Sequence, residues 1–527
     1  MSRRPNILFL QSDEHSFRFM SNLTREEGGE PCHTPNLDRL ASQGVRFDAA
    51  YCAMPLCTPS RMTMFTGMHS HRCGAWGNSV VLRPEYPTMA KALGQAGYRT
   101  ATVGKMHIGG VLQHAGFQDR PYGDFGGPCA HQTNPEKEQL GDKPYIQGLR
   151  ERTLDVGVCT IPESMLQERV TAQESIAWVR EQNAANPDQP WMLYASFSRP
   201  HFPLTAPKRF IDRYWPNGVT PPRIGKTSDA MRHQLTQDAI RGFRTHEIEP
   251  HEEMQARAGY FACVSYLDEL LGDMLAQLER DGLLENTIII YTSDHGEMAG
   301  EHGLWWKNVW HEAATRVPLI ISTPEHRRNE RPAAKCATPV SLLDMFPTLC
   351  AIAGAPAPVG LDGVDISPIL AGGKSAAAQR TGVICESFWP RWGQCAEFRM
   401  VRSERYKYIY FRGCDDMAFD MINDPDEQHN LVGQATGEVA EELERLRKFA
   451  IKGIDLEAID AKRAKDKAEL PGLYGLKQKP KTPNQIRLGD GRLVEADSAL
   501  YMPMIVSANM AETYLNYLGD DPDRASD

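Results

Sequence analysis

Thr287-Ile288-Ile289-Ile290-Tyr291-Thr292-Ser293 is a nearly unbroken β-branched and aromatic run, followed at once by Asp294-His295-Gly296-Glu297. A run without polar alternation offers no face to water, so it reads as a strand buried on both sides in a parallel sheet. The acid and imidazole behind it would stand at the strand's carboxyl end, where open α/β sheets carry their sites. The N-terminal region repeats the arrangement. Ile7–Gln11 reads as a core strand, and Asp13-Glu14-His15 follows it.

Outward from these two strands the pattern alternates. Pro35–Gln43 reads as a helix with Thr34 as cap and Gly44 as stop, then Val45–Tyr51 as a strand. Pro87–Ala96 reads as a helix and Arg99–Gly104 as a strand; Trp191–Phe197 is strand-like and Glu252–Arg280 a long helix. Pro318–Ser322 and the helical Ser341–Ala353 continue the series. The expected fold class is α/β, a doubly wound, mostly parallel central sheet with helices on both faces.

Near residue 380 the character changes. Phe398–Val401 and Tyr406–Phe411 read as a hairpin, Ala418–Met421 as a further strand, Asn423-Asp424-Pro425-Asp426 as a turn and Gly437–Arg463 as helical. A smaller C-terminal antiparallel sheet with a helix would account for them. The expected division is 1–380 catalytic domain, 381–470 small α+β subdomain and 471–527 extended arm, the last suited to joining subunits of a homo-oligomer.

The chain has 527 residues, 41% hydrophobic and 24% charged, with a net charge of −10. These values suit a globular protein and argue against general nucleic-acid binding, which needs a basic surface. The apolar run at Asn6–Leu10 is too short for a secretory signal or a membrane span, so no membrane partner is expected. The twelve cysteines lack the spacing of a disulfide scaffold, and a cytoplasmic location is expected.

One cysteine stands apart. Cys57-Thr58-Pro59-Ser60-Arg61 runs into the helix-like Met62-Thr63-Met64-Phe65-Thr66. A cysteine at a helix N-terminus lies in a positive field and is expected to be reactive. Taken alone it could equally be a small buried hydrophobe, or pair with Cys52. Strand ends carrying Asp13, Asp294 and His295 around Cys57 suggest a single metal-centred site. Carboxylate oxygens with one imidazole suit Ca²⁺, Mn²⁺ or Mg²⁺ better than structural zinc.

These motifs together resemble the type I sulfatase family of the alkaline phosphatase superfamily. Cys-x-Pro-Ser-Arg at 57–61 is similar to the family signature whose cysteine is oxidised by a maturase to formylglycine. Ser-Asp-His-Gly at 293–296, Gly104-Lys105-Met106-His107, Arg199-Pro200-His201-Phe202-Pro203 and Lys307 after Trp305-Trp306 match further motifs. The Asp294-His295 pair, with Glu14 where many members carry a second Asp, is similar to the choline sulfatase and phosphonate monoester hydrolase branch.

The resemblance implies hydrolysis of a small-molecule sulfate ester, with Asp13, Cys57, Asp294 and His295 as metal ligands and Ca²⁺ as the first choice, Mn²⁺ or Mg²⁺ as alternatives. A gem-diol at position 57 would attack sulfur. Lys105 and Lys307 would neutralise the sulfuryl oxygens, His201 would protonate the leaving alcohol, His107 would take the diol's second proton, and Arg61 would hold the diol. Asn78 would touch nucleophile or substrate. The alternative activity is phosphonate monoester or phosphodiester hydrolysis, against which Lys105 and His107 argue. Glu14 is read as a neighbour of the metal ligands, Trp305 and Trp306 as core or pocket wall, and His302 and His311 as structural. The long stretch 109–158, with Pro128-Cys129-Ala130-His131 inside it, is read as a specificity loop.

Overall fold

The computed structural model describes residues 4–109, 114–123, 137–140, 149–225, 228–389, 396–473, 485–487 and 493–495. Its central sheet has eight strands: β1 Asn6–Asp13, β2 Val45–Phe47, β3 Arg99–Gly104, β4 Asp119–Tyr122, β5 Trp191–Pro200, β6 Thr287–Ser293, β7 Leu319–Ser322 and β8 Ala334–Cys336. Their spatial order is β8-β2-β7-β6-β1-β5-β3-β4. The run that opened the sequence reading is β6, buried at every position and paired in parallel with β1. All pairings are parallel except those of β7 with β6 and with β2, so the sheet is mostly parallel. The long segment 294–318, which holds only short helical turns and a two-residue strand and no long crossover helix, joins β6 to β7 and reverses the direction.

The two faces of β1 show why both sides are apolar. Ile7 and Phe9 enter one core with Met62, Met64 and Phe65 of α1, Cys57–Thr66. Leu8 and Leu10 enter the other with Leu267, Leu271, Met274 and Leu278 of the long helix α2, Pro250–Arg280. Each fully buried Leu or Ile contributes about 1.5–3 kcal/mol over leaving it exposed.

Several expected elements differ in detail. Val45–Tyr51 is not one strand: it breaks at Asp48, whose carboxylate takes the Arg46 Nε–H at 2.6 Å, and Ala50–Tyr51 joins a separate three-stranded sheet. The helix after Thr34 is Pro35–Ala41, and Thr34 Oγ1 accepts the Ser21 N–H rather than capping it. Gly437–Arg463 is two helices, Gly437–Ile451 and Leu456–Leu473, parted at Lys452-Gly453, where Gly453 takes a positive φ of 73°. The C-terminal antiparallel sheet has four strands, Val383–Ser387, Phe398–Arg402, Tyr406–Phe411 and Met417–Asp420, with Gly437–Ile451 packed on it. Its first strand was missed because its single Glu386 is buried in an ion pair and interrupts the apolar reading.

Within 109–158 the described residues form β4, the short strand Lys137–Gln139, the short helix Leu149–Thr153 and the start of the strand Val156–Cys159; Pro128-Cys129-Ala130-His131 lies outside them. Most of the 471–527 arm also lies outside, apart from the end of the last helix and the pairing of Gln485–Arg487 with Leu493–Glu495. Among the described residues no helix is long and apolar enough to cross a membrane. Among the described residues Cys414 is disulfide-bonded and the other cysteines are free.

Candidate active site

The neighbouring strands β6, β1, β5 and β3 release their chains side by side at one edge of the sheet. Asp294 and His295 follow β6, Asp13 ends β1, His201 follows β5, and Lys105 and His107 follow β3. Two glycines permit the close approach. A Cβ on Gly104, at φ +87°, would lie 2.1 Å from the Ser196 carbonyl oxygen, and one on Gly296 would lie 1.9 Å from that of Ala313.

Cys57 begins α1 with its side chain fully buried beside these strand ends. Its Sγ lies 3.1 Å from His295 Nε2 and 3.8 Å from Asp13 Oδ1. Ligand atoms of Asp13, Cys57, Asp294 and His295 all fall within 4.8 Å of one another. Two buried carboxylates, an imidazole nitrogen and the side chain at 57 are a donor set that fits a hard or borderline divalent cation. His295 Nδ1 faces the Gly296 carbonyl at 2.9 Å, so that hydrogen bond leaves Nε2 as the ligating nitrogen. Cys52 is not paired with Cys57; both are free.

The expectation of a reactive thiolate is corrected. Burial and the Asp13 carboxylate push the Cys57 thiol up to about 12, so this field outweighs the helix N-terminus. Asp13 behaves oppositely: burial favours its acid form, yet Lys105, His201 and Arg61 together hold it well below the usual carboxylate range. Asp294 is raised by burial and by Asp13 beside it.

Arg61 does not spend its hydrogen bonds on residue 57. Its Nη2 meets Asp13 Oδ2 at 2.9 Å and its Nε meets Asp294 Oδ2 at 2.9 Å, while Nη1 donates to the Lys105 carbonyl at 2.7 Å and to Ser196 Oγ at 2.8 Å. It is a clamp on both carboxylates. Tyr194 and Ser196 support it from β5. The sequence reading missed both, although polar residues alternating within an otherwise apolar strand were the available signal.

Lys105 Nζ sits 2.8 Å from Asp13 Oδ2, and Lys307 Nζ sits 2.7 Å from Glu14 Oε2. The Lys307 ammonium also lies over the Phe202 and Trp306 rings, at 5.3 and 5.6 Å from their centroids. Trp306 stacks on Phe202 at 4.4 Å, and both Trp305 and Trp306 are buried. Glu14 takes a left-handed φ of 68° and donates its backbone N–H to Asp294 Oδ1 at 3.1 Å. Burial holds the Glu14 carboxyl well above the ordinary range, Lys307 opposing and Glu297 reinforcing. Glu297, which the sequence reading placed in the cluster after β6 without a role, is a second neighbour.

His201 Nδ1 lies 2.7 Å from the Phe202 carbonyl, leaving Nε2 toward Glu14 at 3.4 Å and Asp13 at 3.9 Å. Burial and the two lysines lower His201 well below the usual histidine range, and burial with Lys105 does the same to His107. His107, at a left-handed φ of 51°, accepts the Thr58 hydroxyl on its carbonyl at 2.6 Å, which ties it to the start of α1. Asn78 Oδ1 accepts the Thr58 N–H at 3.1 Å, so it caps α1 next to residue 57. Every candidate residue named from the sequence is thus at, or one residue from, a single cluster.

Fold and cluster define a doubly wound α/β protein whose polar groups gather at the carboxyl ends of its strands. The family model described as Sulfatase matches residues 5–355, and the model of the N-sulphoglucosamine sulphohydrolase C-terminal region matches 300–451. The chain is 30% identical over 477 residues to a choline-sulfatase of Rhizobium meliloti, covering 87% of this chain and 88% of that protein. It is 28% identical to an arylsulfatase of Clostridium perfringens, covering 86% and 95%. Among solved structures, the phosphonate monoester hydrolase of Agrobacterium radiobacter has a TM-score of 0.70 at 23% identity, covering 87% of this chain and 96% of that one, a likeness of fold. The chain belongs to the sulfatase family and is a sulfuric ester hydrolase.

Proposed function

We propose that the chain hydrolyses a sulfate monoester to an alcohol and inorganic sulfate, with Cys57 matured to formylglycine and a divalent cation held by Asp13, Asp294, His295 and residue 57. The observation that carries the reading is the convergence of these four ligand groups within 4.8 Å, with Lys105, Lys307, His107 and His201 around them. The Cys57 sulfur stands where the oxygens of the hydrated aldehyde would be. When present, the cation lowers the pKa of a hydroxyl at position 57, making it a nucleophile at neutral pH, and offsets charge on the sulfuryl group.

The remaining work belongs to the side chains. Arg61 holds the two carboxylates apart at fixed positions. Lys105 and Lys307 are preorganised cations for the sulfuryl oxygens, needing no reorganisation as charge develops. The Phe202 carbonyl fixes the His201 ring so that Nε2 faces the site; Nε2 takes up the proton released as residue 57 becomes the nucleophile and passes it to the leaving alcohol. His107 receives the second proton from residue 57. Ca²⁺ is the first choice of metal for the two carboxylates, with Mn²⁺, which the imidazole favours, or Mg²⁺ as alternatives.

Intact-protein mass spectrometry after co-expression with a maturase tests the nucleophile, because conversion of CH₂–SH to CHO removes about 18 Da. A matured preparation that retains sulfur at residue 57 while hydrolysing sulfate esters would refute the mechanism. The substrate panel should contain choline sulfate and aryl sulfates, the substrates named by the relatives.

A second reading, phosphonate monoester or phosphodiester hydrolysis, is supported by the likeness of fold to a phosphonate monoester hydrolase. A phosphonate monoester with higher kcat/KM than an aryl sulfate would reverse the order. The proposal also includes a homo-oligomer joined by the 471–527 arm, which light scattering on the full chain tests. The proposal also keeps the cytoplasmic location expected from the sequence, which cell fractionation tests.

A further inference from the structure

His302 and His311 flank Lys307 in the loop between β6 and β7, and the sequence reading assigned them only structural roles. The fold stacks their rings, with centroids 4.3 Å apart and planes 30° from parallel. Glu427, from the turn after Met417–Asp420, completes a group with its Oε2 3.6 Å from His311 Nδ1. All three side chains are buried, at 1%, 0% and 1% exposure. One potential ligand atom from each lies within 4.8 Å of the others. None of the three belongs to the catalytic cluster.

Their hydrogen bonding is incomplete in a specific way. Among the described residues His302 Nε2 has no hydrogen-bond partner, and neither ring nitrogen of His311 has one. A buried polar atom left without a partner is costly and calls for an occupant of the site. His302 Nδ1 meets Ser228 Oγ at 2.9 Å, fixing its ring and turning Nε2 toward the group. Glu427 is positioned by the Lys407 ammonium on Oε1 at 2.6 Å and by the Glu312 N–H on Oε2 at 2.9 Å. Bonds of this kind, behind the ligating atom, orient metal ligands.

We propose that His302, His311 and Glu427 form a second metal site, distinct from the catalytic one, which takes a borderline divalent transition ion, Zn²⁺ before others. Two imidazoles and one carboxylate are a donor set that zinc accepts and Ca²⁺ or Mg²⁺ does not favour. The surrounding charges permit a cation. Lys407 is answered by Glu312 at 3.1 Å as well as by Glu427 at 2.6 Å, and Arg18 is answered by Asp426 at 3.1 Å. The ion would fasten the loop carrying Lys307 to the C-terminal part of the chain. The competing account is plain packing, since His311 also stacks on Trp310 at 3.9 Å.

The test uses full-length protein purified without chelator from zinc-supplemented culture, because a buried site fills most readily during folding. Zinc per chain is measured by plasma mass spectrometry for wild type, His311→Phe, Glu427→Gln and Asp13→Asn. His311→Phe keeps an aromatic ring against Trp310 while removing the ligating nitrogens. The expected result is loss of about one equivalent of zinc in His311→Phe and Glu427→Gln and its retention in Asp13→Asn, whose lesion is in the catalytic cluster. Equal zinc content in wild type and a folded His311→Phe would overturn the proposal. Should neither of those two variants fold, anomalous diffraction from wild-type crystals at the zinc edge decides: a peak among the three side chains supports the site, and no peak there overturns it.

Discussion

Lys307 Nζ and Glu14 Oε2 form a 2.7 Å ion pair that joins the loop after β6 to the end of β1, with both side chains buried. The pair fixes an ammonium that a solvated lysine would leave mobile. Lys307→Met is expected to lower kcat/KM on a sulfate ester by about 10²–10³, the cost of removing one preorganised charge donor. Glu14→Gln keeps an oxygen for the ammonium and should cost less, about tenfold. Steady-state kinetics on matured protein checks the order; a larger loss in Glu14→Gln would mean Glu14 acts directly.

Arg61 bridges Asp13 and Asp294 with both contacts at 2.9 Å and no exposure on any of the three side chains. Arg61→Met leaves two buried carboxylates without their shared counter-charge and should destabilise the fold by about 3–5 kcal/mol. Arg61→Lys cannot reach both acids through one planar group, so a substantial part of the loss should remain. Urea unfolding of the apo forms measures both.

Removal of the proposed cation should abolish hydrolysis and lower the thermal midpoint, because Asp13 and Asp294 then repel within a buried site. Returning Ca²⁺ at a thousand times its dissociation constant should restore about 4 kcal/mol of stability. Asp13→Asn should lose this calcium-dependent shift. Differential scanning calorimetry with Ca²⁺ and with Mn²⁺ also ranks the two ions.

Glu386 supplies a pH dependence away from the catalytic cluster. Burial would raise its pKa, but hydrogen bonding from His71 at 2.7 Å and the charges of His69 and Arg399 hold it far below the usual carboxylate range. A carboxylate depressed in the folded state contributes stability in full above its unfolded pKa of about 4.5 and loses it as pH falls below that value toward the folded pKa. Wild type should therefore lose stability steeply below about pH 4.5, and Glu386→Gln should show a shallower decline. Unfolding free energies measured from pH 3 to 7 test the slope.

Much of the site could be read in the chain itself. The two apolar strands Asn6–Asp13 and Thr287–Ser293 announced their own burial, and the acids behind them could stand only at strand ends. The Cys-x-Pro-Ser-Arg segment marked a helix start with a cysteine on it. Less legible were roles that depend on a partner distant in sequence. Arg61 was expected beside residue 57 but is drawn to Asp13 and Asp294, 48 and 233 residues away. The pKa of the thiol expected to be reactive is raised by its burial and by a carboxylate from β1.

By itself the sequence determined which side chains are available and which strands must be buried, because hydrophobic periodicity and turn chemistry act over a few neighbouring residues. Only the tertiary structure decided which charges face each other: that Lys307 meets Glu14, that Arg61 spans two acids, and that His302 and His311 stack beside Glu427. Electrostatic and hydrogen-bond energies depend on separations of a few ångströms, and those distances are set by how the sheet orders its strands.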